Sequence, residues 1–136
     1  IPKWVLAILN KEDLFINGDG ETSRDFCYIN NTVQMNLLAA TVDNDDATDQ
    51  VYNVAYGDST SLNELHKFIE TGLMQRIESL KKTSPVYRDF RIGDVRHSLA
   101  DINKAKLLIH YQPSHNINEG LNEALDWYVK SLLKQK

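Results

Sequence analysis

The chain has 136 residues, 42% of them apolar and 25% charged, with a net charge of -4. That length allows one domain or part of one, with a modest core, and the composition is that of an ordinary soluble protein. The acidic balance argues against a nucleic-acid partner, and no apolar run approaches the ~18 residues of a membrane span. The single cysteine, Cys27, cannot close an intramolecular disulfide and points to a reducing, cytoplasmic compartment.

Taken in chain order, residues Lys3 to Lys11 are predicted as the end of a helix. Leu14 to Ile16 make a short strand, closed by the turn Asn17-Gly18-Asp19-Gly20. Arg24 to Ile29 is a second extended segment. Thr32 to Val42 carries Val33, Leu37, Leu38 and Thr41 at helical spacing. The acidic run Asp43-Asn44-Asp45-Asp46 lacks the central glycine and closing glutamate of a calcium loop, so it is a solvated loop.

Val51 to Ala55 is a compact apolar strand ended by Gly57-Asp58. Ser61-x-x-Glu64 is a capping box that opens a helix with Leu62, Leu65, Phe68, Ile69, Leu73 and Ile77 on one face. After Pro85, Val86 to Arg91 is extended. Asp101 caps a short helix through Leu108, and Pro113 breaks the chain after it. The last helix shows a stripe of Leu121, Leu125, Tyr128, Val129 and Leu132. Strands alternating with helices over short connections define an α/β unit, α+β when taken by itself.

Chemistry concentrates in two places. The glycine-rich turn around Gly18 and Gly20 runs into Arg24-Asp25, so backbone can pass close to a ligand while a guanidinium faces it. A second set follows late, Arg88-Asp89-Phe90-Arg91-Ile92-Gly93-Asp94-Val95-Arg96-His97-Ser98. Two separated arginines suit a ligand with several phosphate oxygens, since guanidinium is permanently charged and binds them through two parallel bonds. None of His66, His97, His110 and His115 has a second ligand at metal spacing, and Cys27 has no cysteine partner, so no metal site is expected. His66, in mid-helix, is expected at the surface. Trp4, Trp127 and Tyr128 are expected to be core or packing residues.

The ordered set Ile1-Pro2, Phe15-Ile16-Asn17-Gly18-Asp19-Gly20, Arg24-Asp25-Phe26-x-Tyr28-Ile29 and Arg91-x-Gly93-Asp94-Val95-Arg96-His97-Ser98-x-Ala100-Asp101 resembles the extended short-chain dehydrogenase/reductases. Among them it is most similar to the UDP-N-acetylglucosamine 4-epimerases, NAD-dependent enzymes of surface-polysaccharide synthesis. The likeness runs almost to Trp127-Tyr128. It implies the C-terminal, nucleotide-sugar-binding portion of a homodimeric enzyme more than twice as long, with most of the Rossmann half elsewhere.

The resemblance also assigns roles. Arg24 and Arg91 hold the UDP-sugar diphosphate, and Asp94 accepts from the ribose hydroxyls. Phe15 and Asn17 meet the uracil edge through their main chain, and Ser98 lies beside the hexose. Arg88 and Arg96 remain structural or surface charges. The Gly-x-x-Gly-x-x-Gly turn that would hold NAD is not in the sequence, and no tyrosine has lysine four residues later. Tyrosine and lysine remove the hydroxyl proton in such enzymes, so these 136 residues alone are expected to be inactive. A dehydratase, a UDP-glucuronate decarboxylase or a non-catalytic nucleotide-sugar-binding remnant would share the arginine framework.

Overall fold

The structure, a computed structural model, describes residues 1–133. Helix α1 (Pro2–Asn10) opens on proline, whose missing N–H is one a first turn does not use, and stops at Lys11 in the left-handed conformation (φ 59°). Strand β1 (Phe15–Asn17) pairs in parallel with β4 (Val86–Arg88), Phe15 opposite Val86 and Asn17 opposite Arg88. Side chains alternate along β1, so Ile16 enters the core while Phe15 and Asn17 share the opposite face.

Strand β2 (Ser23–Arg24) pairs antiparallel with β3 (Thr60–Ser61), and Ser23 also bridges in parallel to His97. Chain segments far apart in sequence therefore meet at one serine. The predicted extension of β2 to Ile29 does not form. Helix α2 (Ile29–Thr41) begins there instead, three residues before its expected start.

Helix α3 (Leu62–Arg76) has the expected capping box. Glu64 N–H donates to Ser61 Oγ, and Ser61 N–H donates back to Glu64 Oε2 at 2.8 Å. Helix α4 (Asn103–Ile109) starts with Ile102 in the capping position, but Asp101 still contributes, its Oδ1 accepting from Asn103 N–H at 2.9 Å. Helix α5 (Ile117–Leu133) closes the described chain. The acidic run is a loop with one 3-10 turn, Asp45–Ala47.

The interior has two centres. Val5 and Ile8 of α1, Leu14 and Ile16 around β1, Leu65, Ile69 and Leu73 of α3, and Leu121 and Leu125 of α5 form the larger. Arg76 ties α3 to α5 through Asp126, at 2.6 Å, and the Asn122 carbonyl. Met35 of α2, Ala47, Ala55, Ile102, Ala105, Ile109 and Tyr111 form the smaller. There Tyr111 is fully buried and its hydroxyl donates to the Ala55 carbonyl at 2.8 Å. Burial pushes the Tyr111 phenol well above its ordinary range.

Three expectations fail for local reasons. Val51 to Ala55 is not a strand, because no described strand lies beside it to complete a ladder, and Val51 is 86% exposed. The buried face of α2 is not Val33 and Leu37, which are exposed, but Asn31 and Met35. Asn31 turns the helix inward because its amide is fully matched: Nδ2 donates to the His115 carbonyl, and Oδ1 accepts from Ser114 N–H and His115 N–H. His66 is buried, not at the surface, and meets the Thr83 hydroxyl at 3.2 Å. Trp127 is 64% exposed and packs edge-on against Tyr128, while Trp4 and Tyr128 lie against the larger core as expected.

Candidate functional site

An open cleft of about 490 Å³ lies where α1, β1, β2, α3 and the loop after β4 converge. Its apolar side is made by Trp4, Ile16, Phe26, Leu62 and Leu65. Its polar rim carries Lys3, Asn17, Thr22, Arg24, Arg91 and Asp94, with Phe15 at one edge. Three cations face one carboxylate, so the rim favours an anion against an apolar, aromatic wall.

Each rim residue is placed by its backbone. Arg24 follows buried Ser23 on β2, so the alternation of the strand sends its side chain to the cleft. Its Nη2 donates to Asp94 Oδ1 at 2.5 Å, and Nη1 donates to the Ser23 carbonyl at 2.8 Å. Arg91 and Asp94 reach the same cleft through one tight turn, in which Asp94 N–H donates to the Arg91 carbonyl at 3.2 Å. Gly93 in that turn has φ +79°, a conformation that side chains with a Cβ avoid.

The structure thus brings Phe15, Asn17, Arg24, Arg91 and Asp94 to one opening. Ser98 is not among the lining residues: it is exposed, and its N–H donates to the Ser23 carbonyl at 3.2 Å. Arg24 does not pair with its neighbour Asp25. Asp25 instead accepts from three backbone N–H groups, those of Tyr56, Gly57 and Ala100, and so fixes two distant segments beside β2.

Arg88 and Arg96 have the structural roles expected of them, and both support the site. The Arg88 guanidinium sits 3.2 Å over the Phe15 ring. Arg96 binds Asp19 at 2.7 Å across the glycine turn, and this hydrogen-bonded pairing holds the Asp19 carboxyl below its ordinary pKa. In that turn Gly20 has φ +81°, and a Cβ there would run into the Asn63 amide. Asn63 of α3 in turn bonds to the Asp19 carbonyl, Glu21 and the Tyr87 hydroxyl.

Sequence reasoning missed Lys3, Trp4, Thr22 and Phe26 in the cleft. Lys3 and Trp4 are adjacent on α1, and no residue spacing links a helix start to an arginine on β2. Phe26 was within reach, standing two residues after Arg24 on an extended segment. Among the described residues no group of histidine, cysteine, aspartate and glutamate could hold a metal ion, and no helix is long and apolar enough to cross a membrane.

An α/β framework that gathers arginines, a carboxylate and an aromatic wall around one cleft defines a candidate anion-binding site. Residues 1–124 match the model of the family described as GDP-mannose 4,6 dehydratase, and the chain belongs to that family. It is 30% identical over 124 residues to a putative UDP-glucose 4-epimerase of Methanocaldococcus jannaschii, covering 91% of this chain and 37% of that protein.

The solved UDP-N-acetylglucosamine 4-epimerase of Methanobrevibacter ruminantium, in complex with UDP-N-acetylmuramic acid, superposes with a TM-score of 0.82 at 37% identity. That match covers 96% of this chain and 39% of the other. The Bacillus cereus UDP-glucuronic acid 4-epimerase, in complex with UDP-glucuronic acid and NAD, gives 0.80 at 26% identity, covering 95% and 38%. The expected fold class holds: the α/β unit corresponds to the C-terminal part of such epimerases. The chain spans less than two-fifths of the length of these relatives.

Proposed function

We propose that this chain is the UDP-sugar-binding portion of a cytoplasmic, homodimeric, NAD-dependent 4-epimerase that interconverts UDP-N-acetylglucosamine and UDP-N-acetylgalactosamine for surface-polysaccharide synthesis. The observation that carries the reading is the meeting of Arg24, Arg91 and Asp94 at one cleft with Phe15 and Asn17 on its edge. In this reading Arg24 and Arg91 grip the diphosphate, Asp94 takes the ribose hydroxyls, and the backbone of Phe15 and Asn17 meets the uracil. Ser98 adjoins the hexose.

The chain's six glycines include no Gly-x-x-Gly-x-x-Gly run, and its cleft is lined by arginine and aromatic groups. These residues do not fit a dinucleotide cradle, so no step through NAD is assigned to them. Two features support a larger body around this unit, with α2 and the 51–55 segment as elements returning to a nucleotide-binding half. Helix α2 exposes Ile29, Val33 and Leu37 at successive turns, and the extended segment from Val51 has no strand partner among the described residues.

The test is a calorimetric titration of UDP into the native protein, Arg24→Ala and Arg91→Ala. Half-buried Arg24 should contribute about 1.5–3 kcal/mol to binding, and exposed Arg91 less. The same loss should appear with UDP and with UDP-N-acetylglucosamine, because the contact is to phosphate. Equal affinity in all three proteins returns both arginines to surface charges.

A further inference from the structure

The one carboxylate on the rim is not idle. Asp94 occupies the guanidinium of Arg24 at 2.5 Å, so a phosphate oxygen drawn to that guanidinium competes with it. Arg91, on the same rim, has no ion pair among the described residues. The loop bearing Asp94 is exposed from Asp89 to Leu99. The side chain of Asp94 meets the body of the chain through Arg24, while Arg96, His97 and Ser98 tie the same loop to Asp19 and Ser23.

We infer that Asp94 is a specificity-determining residue that filters anions: it admits a phosphate only when a vicinal diol arrives with it. The inference rests on the reading that Arg24 and Arg91 take the diphosphate and Asp94 the ribose hydroxyls. A bare phosphate or pyrophosphate must pull Arg24 away from Asp94 and then lie beside a carboxylate stripped of its partner, and like charges at that distance repel. A nucleoside diphosphate brings two ribose hydroxyls, which are donors, and they restore to Asp94 the hydrogen bonds it loses. The same carboxylate therefore opposes one class of ligand and accepts the other, with Arg24 as the shared partner. Inorganic phosphate, pyrophosphate and simple sugar phosphates are disfavoured, although the rim is cationic overall.

The experiment measures binding of inorganic pyrophosphate and of UDP by calorimetry. It compares the native protein, Asp94→Asn, Asp94→Ala and the double variant Arg24→Ala/Asp94→Asn. Asp94 lies on an exposed loop, and the alanine variant guards against an amide that keeps a bond to Arg24. Both single variants should bind pyrophosphate about five- to tenfold more tightly than the native protein, while UDP gains nothing or weakens. The gain should vanish in the double variant. Pyrophosphate affinity equal to or below the native value in both single variants overturns the filter. Where that happens while UDP still binds the native protein and loses affinity in Arg24→Ala, the filter alone falls and the diphosphate reading stands. Native protein that does not bind UDP overturns the diphosphate reading and the filter together.

Discussion

Arg88 lies across the face of Phe15, its guanidinium carbon 3.2 Å from the ring centroid, with the two residues on paired strands. The parallel register sets Phe15 opposite Val86, so an arginine two residues on can reach back along the ladder. The stack holds an exposed aromatic ring at the mouth of the cleft in one orientation. Replacing Arg88 with alanine should cost little stability, about 0.5–1 kcal/mol, because the contact is partly solvated. UDP affinity should fall about two- to fivefold, and Arg88→Lys should recover part of it. A denaturant melt and a UDP titration on each variant read the two effects separately. Unchanged UDP binding in Arg88→Ala would mean that the orientation of Phe15 is irrelevant to the ligand.

Asn31 carries more of the fold than its residue type suggests. It is fully buried and joins α2 to the 114–115 segment through both ends of its amide. Asn31→Leu would keep the volume and strand the N–H groups of Ser114 and His115, an expected loss of about 2–4 kcal/mol. Asn31→Asp would keep the acceptor but face the His115 carbonyl with an oxygen, and should also be destabilising. Urea midpoints for the two variants check this. A loss under about 1 kcal/mol in both would show that water replaces the amide without cost.

Stability should depend on pH through His66. Burial lowers its pKa, with nearby Glu70 acting in the opposite direction, so the folded protein holds the ring neutral. The unfolded chain takes up a proton near pH 6.5. Below that value the unfolded state binds more protons, and stability falls with pH until the folded ring also titrates, by at most about 1.4 kcal/mol per pH unit. Above pH 6.5 this contribution is fully present. Urea melts of the native protein and His66→Gln at pH 7.5 and 5.5 give the comparison. The native protein should lose more stability than the variant across that interval; equal losses would remove His66 as the cause.

The sequence made legible whatever is settled by local chemistry. The Ser61–Glu64 box, the proline start of α1 and the leucine stripe of α5 need only neighbours three or four residues away. The arginines were also visible, as motif residues beside glycine turns. What could not be seen is set by partners across the chain. Val51 to Ala55 has a strand's composition but no strand beside it among the described residues, so pattern alone misassigned it. Asn31 and His66 are polar residues whose burial depends on Ser114, His115 and Thr83, far along the chain. Asp25 adjoins Arg24 in the chain, yet backbone donors from residues 56, 57 and 100 claim it, which leaves Arg24 free for Asp94.

In the proposed reading the choice of sugar turns on Ser98. The family resemblance implies that the position four residues after the aspartate of the Gly-Asp pair flanks the C2 substituent of the hexose. A tyrosine there suits the sugar without an N-acetyl group, and a small residue admits it. Counting from Asp94 gives Ser98, whose side chain is exposed and outside the cleft, while its N–H is tied to Ser23. Substitution to tyrosine therefore meets no packed neighbours within the chain, and folding should be unaffected. If the hexose lies against Ser98 as proposed, the added ring and the acetamido group would compete for one volume, at a cost of about 1–3 kcal/mol. UDP-N-acetylglucosamine should then bind Ser98→Tyr roughly 5- to 150-fold more weakly than the native protein, with UDP-glucose affected much less. Parallel titrations of the two sugars, with UDP alone as the control for the diphosphate grip, measure this. An equal fall for both sugars would end the assignment of Ser98 to the N-acetyl group.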